Sequence, residues 1–473
     1  MSQPLPPGPP GQDWTGKSPA RHSSLAIAAF VISLIAFLFG LIPFFGFAGV
    51  LGIILGIVDR SRPDPPDRPQ KHGLSTAGIV VGALASLGAI VWVVITIWFV
   101  VNPPRFSCPH VYANDGEGYR IDGDMVSGAL FIGAERDDLD RMESLAAVDG
   151  EYKLRIQDDL DEIDHVDRFS LRVVDHAAGA EVLPTQKGDL VVVRDAVAPL
   201  RAVDSRGADM RALLSAADGR MVQGEMPARG EPRETFTLDF PRPKTRRALL
   251  IVRGHNTPFA DEALSRYLSA MGQGLGPVME EAQPEPCPCF QAYLDEEVAR
   301  LGLPLTVEVR DGEAWSSAPS IQPVGPAVLR SQALPIELPA GGDQVSIRLG
   351  ATPLFWEIDQ VELAPVSDEQ VAPVELSPRV ATRSSGEDVT ALLTEGDGRR
   401  LVLTPGDRVD VRFPAPPLPP GRERTIVASM RGHYTMNVGG RPGLNPVPIV
   451  EHRLGWRSLP RLARDLAQGR SAR

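Results

Sequence analysis

Cysteine is scarce, with three residues in a chain of 473, too few for the disulfide framework of a small secreted domain. Aromatic residues make up only 6%, and 60 Asp and Glu outnumber 48 Lys and Arg, for a formal net charge of −12. A surface of that sign with few stacking rings excludes nucleic acid as an expected partner. Strong catalytic signatures are missing too: no P-loop, GxSxG elbow, HExxH or C-x₂-C occurs. Sites assembled in space escape such a scan, so an enzyme is not excluded. The chain does have 43% apolar residues, enough for real cores, and 45 Gly and 45 Pro, which promise many turns.

Charge is absent from two long stretches. Ser23 to Val58 and Gly73 to Pro104 contain no ionisable residue. A helix needs about 20 apolar residues to cross a bilayer core about 30 Å thick. The first stretch is interrupted by Pro43 and Gly46, which leaves one kinked span or a hairpin of two; the second reads as one more. The loop between them carries Arg60, Arg62, Arg68 and Lys71, against Arg105 and Arg120 after the last stretch. That asymmetry predicts a cytoplasmic loop and an extracytoplasmic C-terminal region. Ahead of the runs, residues 1–22 are rich in Pro and Gly and read as a disordered tail.

The apolar segment broken by Pro-Phe-Phe-Gly, then LGIILGIVDRSR, a basic linker and GLSTAGIVVGALASLGAI, resembles a small bacterial membrane module, domain of unknown function 4190. The resemblance covers about residues 24–100 and implies a membrane anchor with no activity of its own. The remainder resembles the extracytoplasmic regions of uncharacterised bacterial envelope proteins.

The rest of the chain matches itself. ADMRALLSAADGR (208–220) recurs as EDVTALLTEGDGR (387–399), FTLDFPRP (236–243) as VDVRFPAP (409–416), and ALLIVRGHNT (248–257) as TIVASMRGHYT (425–435). Upstream, Asp115-Gly-Glu-Gly-Tyr119 pairs with Asp311-Gly-Glu-Ala-Trp315, and EIDHV (162–166) with EIDQV (357–361). Conserved order over five blocks indicates a duplication. It predicts that Phe240 superposes on Phe413 and Gly254 on Gly432. Each copy alternates apolar and polar residues over five to seven positions, the period of a half-buried strand. Each also holds a short helix, Met210 to Ala217 and Val389 to Glu395, opened by Asp209 or Asp388. Between the copies, Leu264, Tyr267, Leu268 and Met271 fall on one helical face.

The expected fold is therefore an N-terminal α-helical membrane anchor of two or three spans followed by two tandem, related, jelly-roll-like β-sandwich domains with a helical connector. The expected boundaries are a tail at 1–22, a transmembrane module at 23–104, copy 1 at 105–257, the connector at 258–304, copy 2 at 305–440 and a basic segment at 441–473.

Four groups of residues invite chemistry. Asp158, Asp161 and Asp164 lie in an acidic cluster with Asp159, Glu162, His165 and Asp167, whose hard oxygen donors suit Ca²⁺; a solvated acidic loop is the plainer reading. Arg253 with His255, and Arg431 with His433 and Tyr434, form a doubled RGH element that either holds a ligand or closes a strand in each copy. Cys287-Pro-Cys289 could bind a soft metal, or one of the two could bridge to Cys108; a bridge across one proline is expected to be strained. Tyr112, Tyr119, Trp315, Phe355 and Trp356 serve either as platforms for a sugar or as core, and the WEIDQVEL segment resembles the last strand of galactose-binding jelly rolls. The function expected is a binding or scaffolding protein of the bacterial inner membrane and cell envelope, with the lipid bilayer and an envelope glycan or protein as partners. The alternative is an envelope hydrolase or carbohydrate-processing enzyme with a site between the β domains.

Overall fold

The structure is a computed structural model in which residues 27–33, 43–62, 73–101, 109–436 and 439–470 are described. The expected tail over 1–22 and Cys108 lie outside them. The chain divides into two compact units, Met1–Pro103 and Pro104–Arg473.

In the first unit residues 27–33 are helical, and α1 (Pro43–Arg60) and α2 (Gly73–Val101) follow. Pro43 opens α1, a position where its missing N–H costs nothing. The two helices approach through glycine: a Cβ added at Gly49 would meet the Gly82 carbonyl at 2.7 Å, and one at Gly82 the Gly49 carbonyl at 2.6 Å. Asp59 is buried in the last turn of α1 and accepts a 2.5 Å hydrogen bond from the Ser75 hydroxyl. Among the described residues no helix is long and apolar enough to cross a membrane. This corrects the expected two- or three-span anchor and, with it, the inner-membrane and extracytoplasmic placement. The physical reason is that lack of charge serves a close-packed helix pair as well as it serves a span.

The second unit is built mainly of antiparallel strands, with helices between and after them. In chain order they are β1 (His110–Asn114), β2 (Tyr119–Asp124), β3 (Arg136–Arg141), β4 (Ala147–Val148), β5 (Glu151–Gln157) and β6 (Glu162–Ala177), then the hairpin β7 (Glu181–Pro184) and β8 (Leu190–Val193). Next come β9 (Arg201–Val203), the short helix α3 (Arg211–Leu214), β10 (Glu234–Pro241) and β11 (Arg247–Asn256). Three helices follow, α4 (Pro258–Ser269), α5 (Leu275–Ala282) and α6 (Pro288–Arg300). The chain continues with β12 (Thr306–Asp311), β13 (Ala314–Ser317), β14 (Arg330–Glu337), β15 (Gln344–Ala351) and β16 (Trp356–Pro365). It ends with β17 (Val374–Leu376), β18 (Val380–Arg383), α7 (Thr390–Thr394), β19 (Leu401–Leu403), β20 (Arg408–Pro414), β21 (Arg422–Met436), α8 (Pro446–Arg453) and α9 (Leu459–Ala467). In β5 and β10 strict alternation places one face inside: in β10 every second residue from Glu234 is buried, as the period of two requires.

Two sandwiches result, and each is made from halves of both copies. In the first, the sheet β18-β20-β5-β1-β2 faces the sheet β17-β6-β21-β3. Its core joins Leu154, Ile156, Phe169 and Leu171 of copy 1 to Val411, Phe413 and Met430 of copy 2. In the second, β9-β10-β15-β12-β13 faces β14-β11-β16, and Phe240 and Leu250 of copy 1 pack with Ile347 and Leu363 of copy 2. Eight strands correspond in order, β18-β20-β5-β1-β2 with β9-β10-β15-β12-β13 and β6-β21-β3 with β16-β11-β14, while β17 of the first sandwich has no counterpart strand. Phe240 lies opposite Val345 on β15 and Phe413 opposite Tyr152 on β5, and both rings are fully buried. The expected division at 105–257 and 305–440 follows the copies, whereas the cores follow the exchanged halves.

Local sequence explains the joints. Thr257 caps α4, its hydroxyl accepting from Ala260 N at 3.1 Å, with Pro258 next in line. Tyr267 on α4 and Met271 just beyond its end are buried against the second sandwich. Asp209 and Asp388 each accept from a backbone N–H two residues on, at 2.9 Å, leading into α3 and α7. The basic C-terminal segment forms α8 and α9, and Leu459 and Ala463 of α9 enter the core of the second sandwich.

Candidate functional site

The strongest concentration of unusual chemistry lies where β5 turns into β6 at one end of the first sandwich. Carboxylate oxygens of Asp158, Glu162 and Asp164 all lie within 4.8 Å of one another, and all three side chains are buried. The strand period explains part of this: Glu162 and Asp164 share the inner face of β6, while Ile163 between them is exposed. Asp161, expected among the donors, lies on the exposed side, and Glu162 takes its place. Asp158 Oδ1 accepts from Leu160 N at 3.1 Å, but its Oδ2 is buried without a hydrogen-bonding partner. Neither oxygen of Asp164 has one, although the residue is 0% exposed. The sequence holds the signal for Glu162, since Glu162 and Asp164 are two apart in a strand pattern.

Electrostatics follow from that crowding. Burial pushes Asp158 up to about 6, assisted by Asp159 and Asp407. Burial raises Glu162 and Asp164 well above the usual carboxylate range, and the charges of Asp158 and Asp124 add to this. Asp261, in the first turn of α4, is raised by its burial and by Asp124. Asp159 goes the other way. Burial would raise it, but hydrogen bonds from His110 at 2.8 Å, Tyr112 at 2.6 Å and Gln157 hold it below its ordinary value. Buried carboxylates without donors are costly unless a proton or a cation meets them. The cluster could therefore hold a metal ion, and its all-oxygen donor set selects a hard cation.

The doubled RGH element belongs to the fold. At Arg253–Gly254 the ladder of β11 with β16 slips, leaving Asp359 between Gln360 and Ile358 without a partner across the ladder. At Arg431–Gly432 the ladder of β21 with β6 slips in the same way, leaving Asp167 between Arg168 and Val166. Each skipped aspartate ties the bulge to the DGR loop of its own sandwich. Asp359 accepts from Gly219 N at 2.8 Å and faces Arg253 Nε at 3.3 Å. Asp167 accepts from Gly398 N at 2.7 Å and faces Arg431 Nε at 3.4 Å. In this register Asp167 matches Asp359, so the EIDHV and EIDQV strings correspond three residues away from where their letters align. Asp164 then stands where the second sandwich has Trp356, a core residue whose Nε1 donates to the Leu303 carbonyl at 2.7 Å.

The remaining candidates are dispersed. His255 bonds the Pro326 carbonyl and Glu357, both at 3.0 Å. His433 lies 3.3 Å from Glu135 and stacks on His165 with ring centroids 4.5 Å apart. Burial would raise Glu135, but His433 and the guanidinium groups of Arg400 and Arg431 bring it down to about 2. Tyr434 is buried beside them, and Trp315 packs under the Arg348 guanidinium at 4.4 Å. These residues form no common site. The expected bridge from Cys108 is replaced by a disulfide between Cys287 and Cys289. Cys287 is extended ahead of α6, which sets the two Cα atoms 5.3 Å apart, inside the ordinary disulfide range. With both sulfurs bonded to each other, the soft-metal reading falls as well.

No family model matches the chain, and no curated protein matches it.

Proposed function

We propose that the two-sandwich body is a binding or scaffolding protein that takes up a divalent cation, with calcium the ion its donors fit. Asp158, Glu162 and Asp164 hold it, and Asp164 carries the reading: a fully buried carboxylate with neither oxygen hydrogen-bonded. The fold itself does not require an acid there, because Trp356 fills the matching position of the second sandwich. Carboxylates placed this close repel one another until a cation or protons neutralise them, and Ca²⁺ accepts the irregular oxygen sets that Mg²⁺ refuses.

Thermal melting of the full chain with chelator, with Ca²⁺ and with Mg²⁺ tests this. Ca²⁺ at about 100 times its Kd is expected to add about 2.7 kcal/mol, a shift of several degrees. Asp164→Asn keeps the shape, removes the charge, and is expected to melt higher than the parent in chelator while losing the Ca²⁺ response. A parent indifferent to both ions, or a variant that still responds fully, overturns the assignment.

A pH dependence accompanies it. The raised pKa values of Asp158, Glu162 and Asp164 mean that the cation-free native state keeps protons that the unfolded chain has released above about pH 4. In chelator, stability from these groups is therefore present at low pH and declines as pH rises through their folded pKa values. Melts between pH 4 and 8 with and without Ca²⁺ are expected to diverge progressively toward the alkaline end.

A further inference from the structure

A disulfide stabilises a fold by closing a loop, and the longer the loop the greater the gain. The Cys287–Cys289 bridge spans a sequence separation of two, so it staples nothing distant. The segment that holds it is fixed by other means. Cys287 N donates to the Gly133 carbonyl at 3.0 Å, in the turn Ile132–Ala134 ahead of β3. A Cβ added at Gly133 would meet the Phe290 ring and the Gln283 side chain at 2.5 Å each, so the start of α6 rests directly on that backbone. Glu280 on α5 accepts from Ile132 N at 3.2 Å and from the Thr435 hydroxyl at 2.9 Å. Backbone bonding and packing therefore hold this end of α6 whether or not the sulfurs are joined.

What the bond offers instead is reactivity. Cys289 is exposed and Cys287 half-buried, so a thiol arriving from outside reaches the Cys289 sulfur first. Cys287 is the N-cap of α6, a helix of 13 residues, with extended backbone and no side-chain cap hydrogen bond. The first N–H groups of a helix lack carbonyl partners and carry partial positive charge. A sulfur released there as a thiolate meets those donors, and the first turn of α6 contains no acidic side chain to oppose it. The helix is thus arranged to favour Cys287 as the leaving group. A disulfide whose reduced form is stabilised acts as an oxidant.

We infer that Cys287–Cys289 is a redox-active disulfide that oxidises paired thiols of a peptide by thiol–disulfide exchange. A substrate thiolate attacks Cys289 Sγ, forming a mixed disulfide and expelling Cys287 as its thiolate. The second substrate thiol, once deprotonated, attacks the substrate sulfur of that bond and expels the Cys289 thiolate. One S–S bond breaks in the protein and one forms in the substrate. Two electrons pass to the protein, whose two thiolates take up the two protons the substrate has lost. Neither cysteine belongs to the acidic cluster, so this activity stands apart from the cation reading.

The test mixes the disulfide-bonded full chain, in chelator, with an equimolar reduced synthetic peptide carrying two cysteines, and follows both masses. The peptide is expected to lose two hydrogens and the protein to gain two, about tenfold or more faster than glutathione disulfide at the same concentration oxidises that peptide. Cys108→Ser is expected to keep the activity, and Cys287→Ser and Cys289→Ser to abolish it while melting close to the parent. Reduction of the parent is likewise expected to move its melting temperature little, because the closed loop is so short. A peptide left reduced, a rate no greater than glutathione disulfide gives, or activity that follows Cys108 rather than Cys289 each overturns the proposal. So does a native fold that collapses on reduction, which would make the bridge a staple.

Discussion

Arg330→Leu is expected to destabilise the protein by about 3–5 kcal/mol, the cost of leaving a buried charge without its partner. The guanidinium is 6% exposed and projects from β14 of the second sandwich to β3 of the first, where it meets Asp138, Asp140 and the Leu139 carbonyl at 2.9 to 3.0 Å. Asp140 is 3% exposed, and burial raises it to about 7 even with Arg330 beside it. Between about pH 4 and about 7, then, the native protein holds a proton that the unfolded chain has lost, and this group's contribution falls as pH rises through that window. Without the guanidinium the Asp140 pKa rises further, and the fall extends to higher pH. Denaturant unfolding of parent and variant at pH 5 and pH 8 measures both effects. The loss is expected to be larger at pH 8, and Asp140→Asn added to Arg330→Leu is expected to restore much of it. An Arg330→Leu protein as stable as its parent at both pH values would show that the sandwiches do not depend on this contact.

The second large effect concerns the bulge glycines. A Cβ at Gly432 would sit 2.4 Å from the His165 carbonyl oxygen, and one at Gly254 would sit 2.7 Å from that of Glu357. Both obstacles are backbone, so neither can swing aside, and the strands would have to part. Gly432→Ala and Gly254→Ala are each expected to cost amounts at or beyond the upper end of the roughly 1–3 kcal/mol seen for overpacked sites. Gly118, with nothing within 4 Å of its added Cβ, supplies a control whose alanine variant is expected to be nearly neutral. If the two sandwiches are true repeats, the two bulge variants are expected to lose stability to a similar degree. A harmless Gly254→Ala beside a damaging Gly432→Ala would show that only one bulge is structural.

How much of this was open to reading from letters alone varies from element to element. Strand pattern, the two short helices and the helical connector follow from periodicity, because burial on one face imposes a period of two or of 3.6 wherever it occurs. The RGH bulges were visible as a repeated string, and their shared role followed from the repetition. The EIDHV and EIDQV pair shows the limit: four of five letters agree, yet register gives Asp167, not Asp164, the role of Asp359. Only a ladder with its bulges counted reveals that slip. The Arg330 pairing was invisible for a related reason, since its partners lie about 190 residues upstream and no local pattern links them. The apolar N-terminal runs misled because lack of charge is common to closely packed helices and to membrane spans.

By itself, then, the amino-acid order determined that the main body is a duplicated β structure with a helical insert, since alternation and repetition are properties of neighbouring letters. Tertiary structure alone decided that each sandwich takes one half from either copy, that Cys287 bonds Cys289, and that Glu162 rather than Asp161 joins the buried acids. Those outcomes depend on which surfaces meet after the chain has closed on itself. Two copies so alike offer the same partner strands to both of their halves, so local pairing preferences cannot choose between staying home and exchanging.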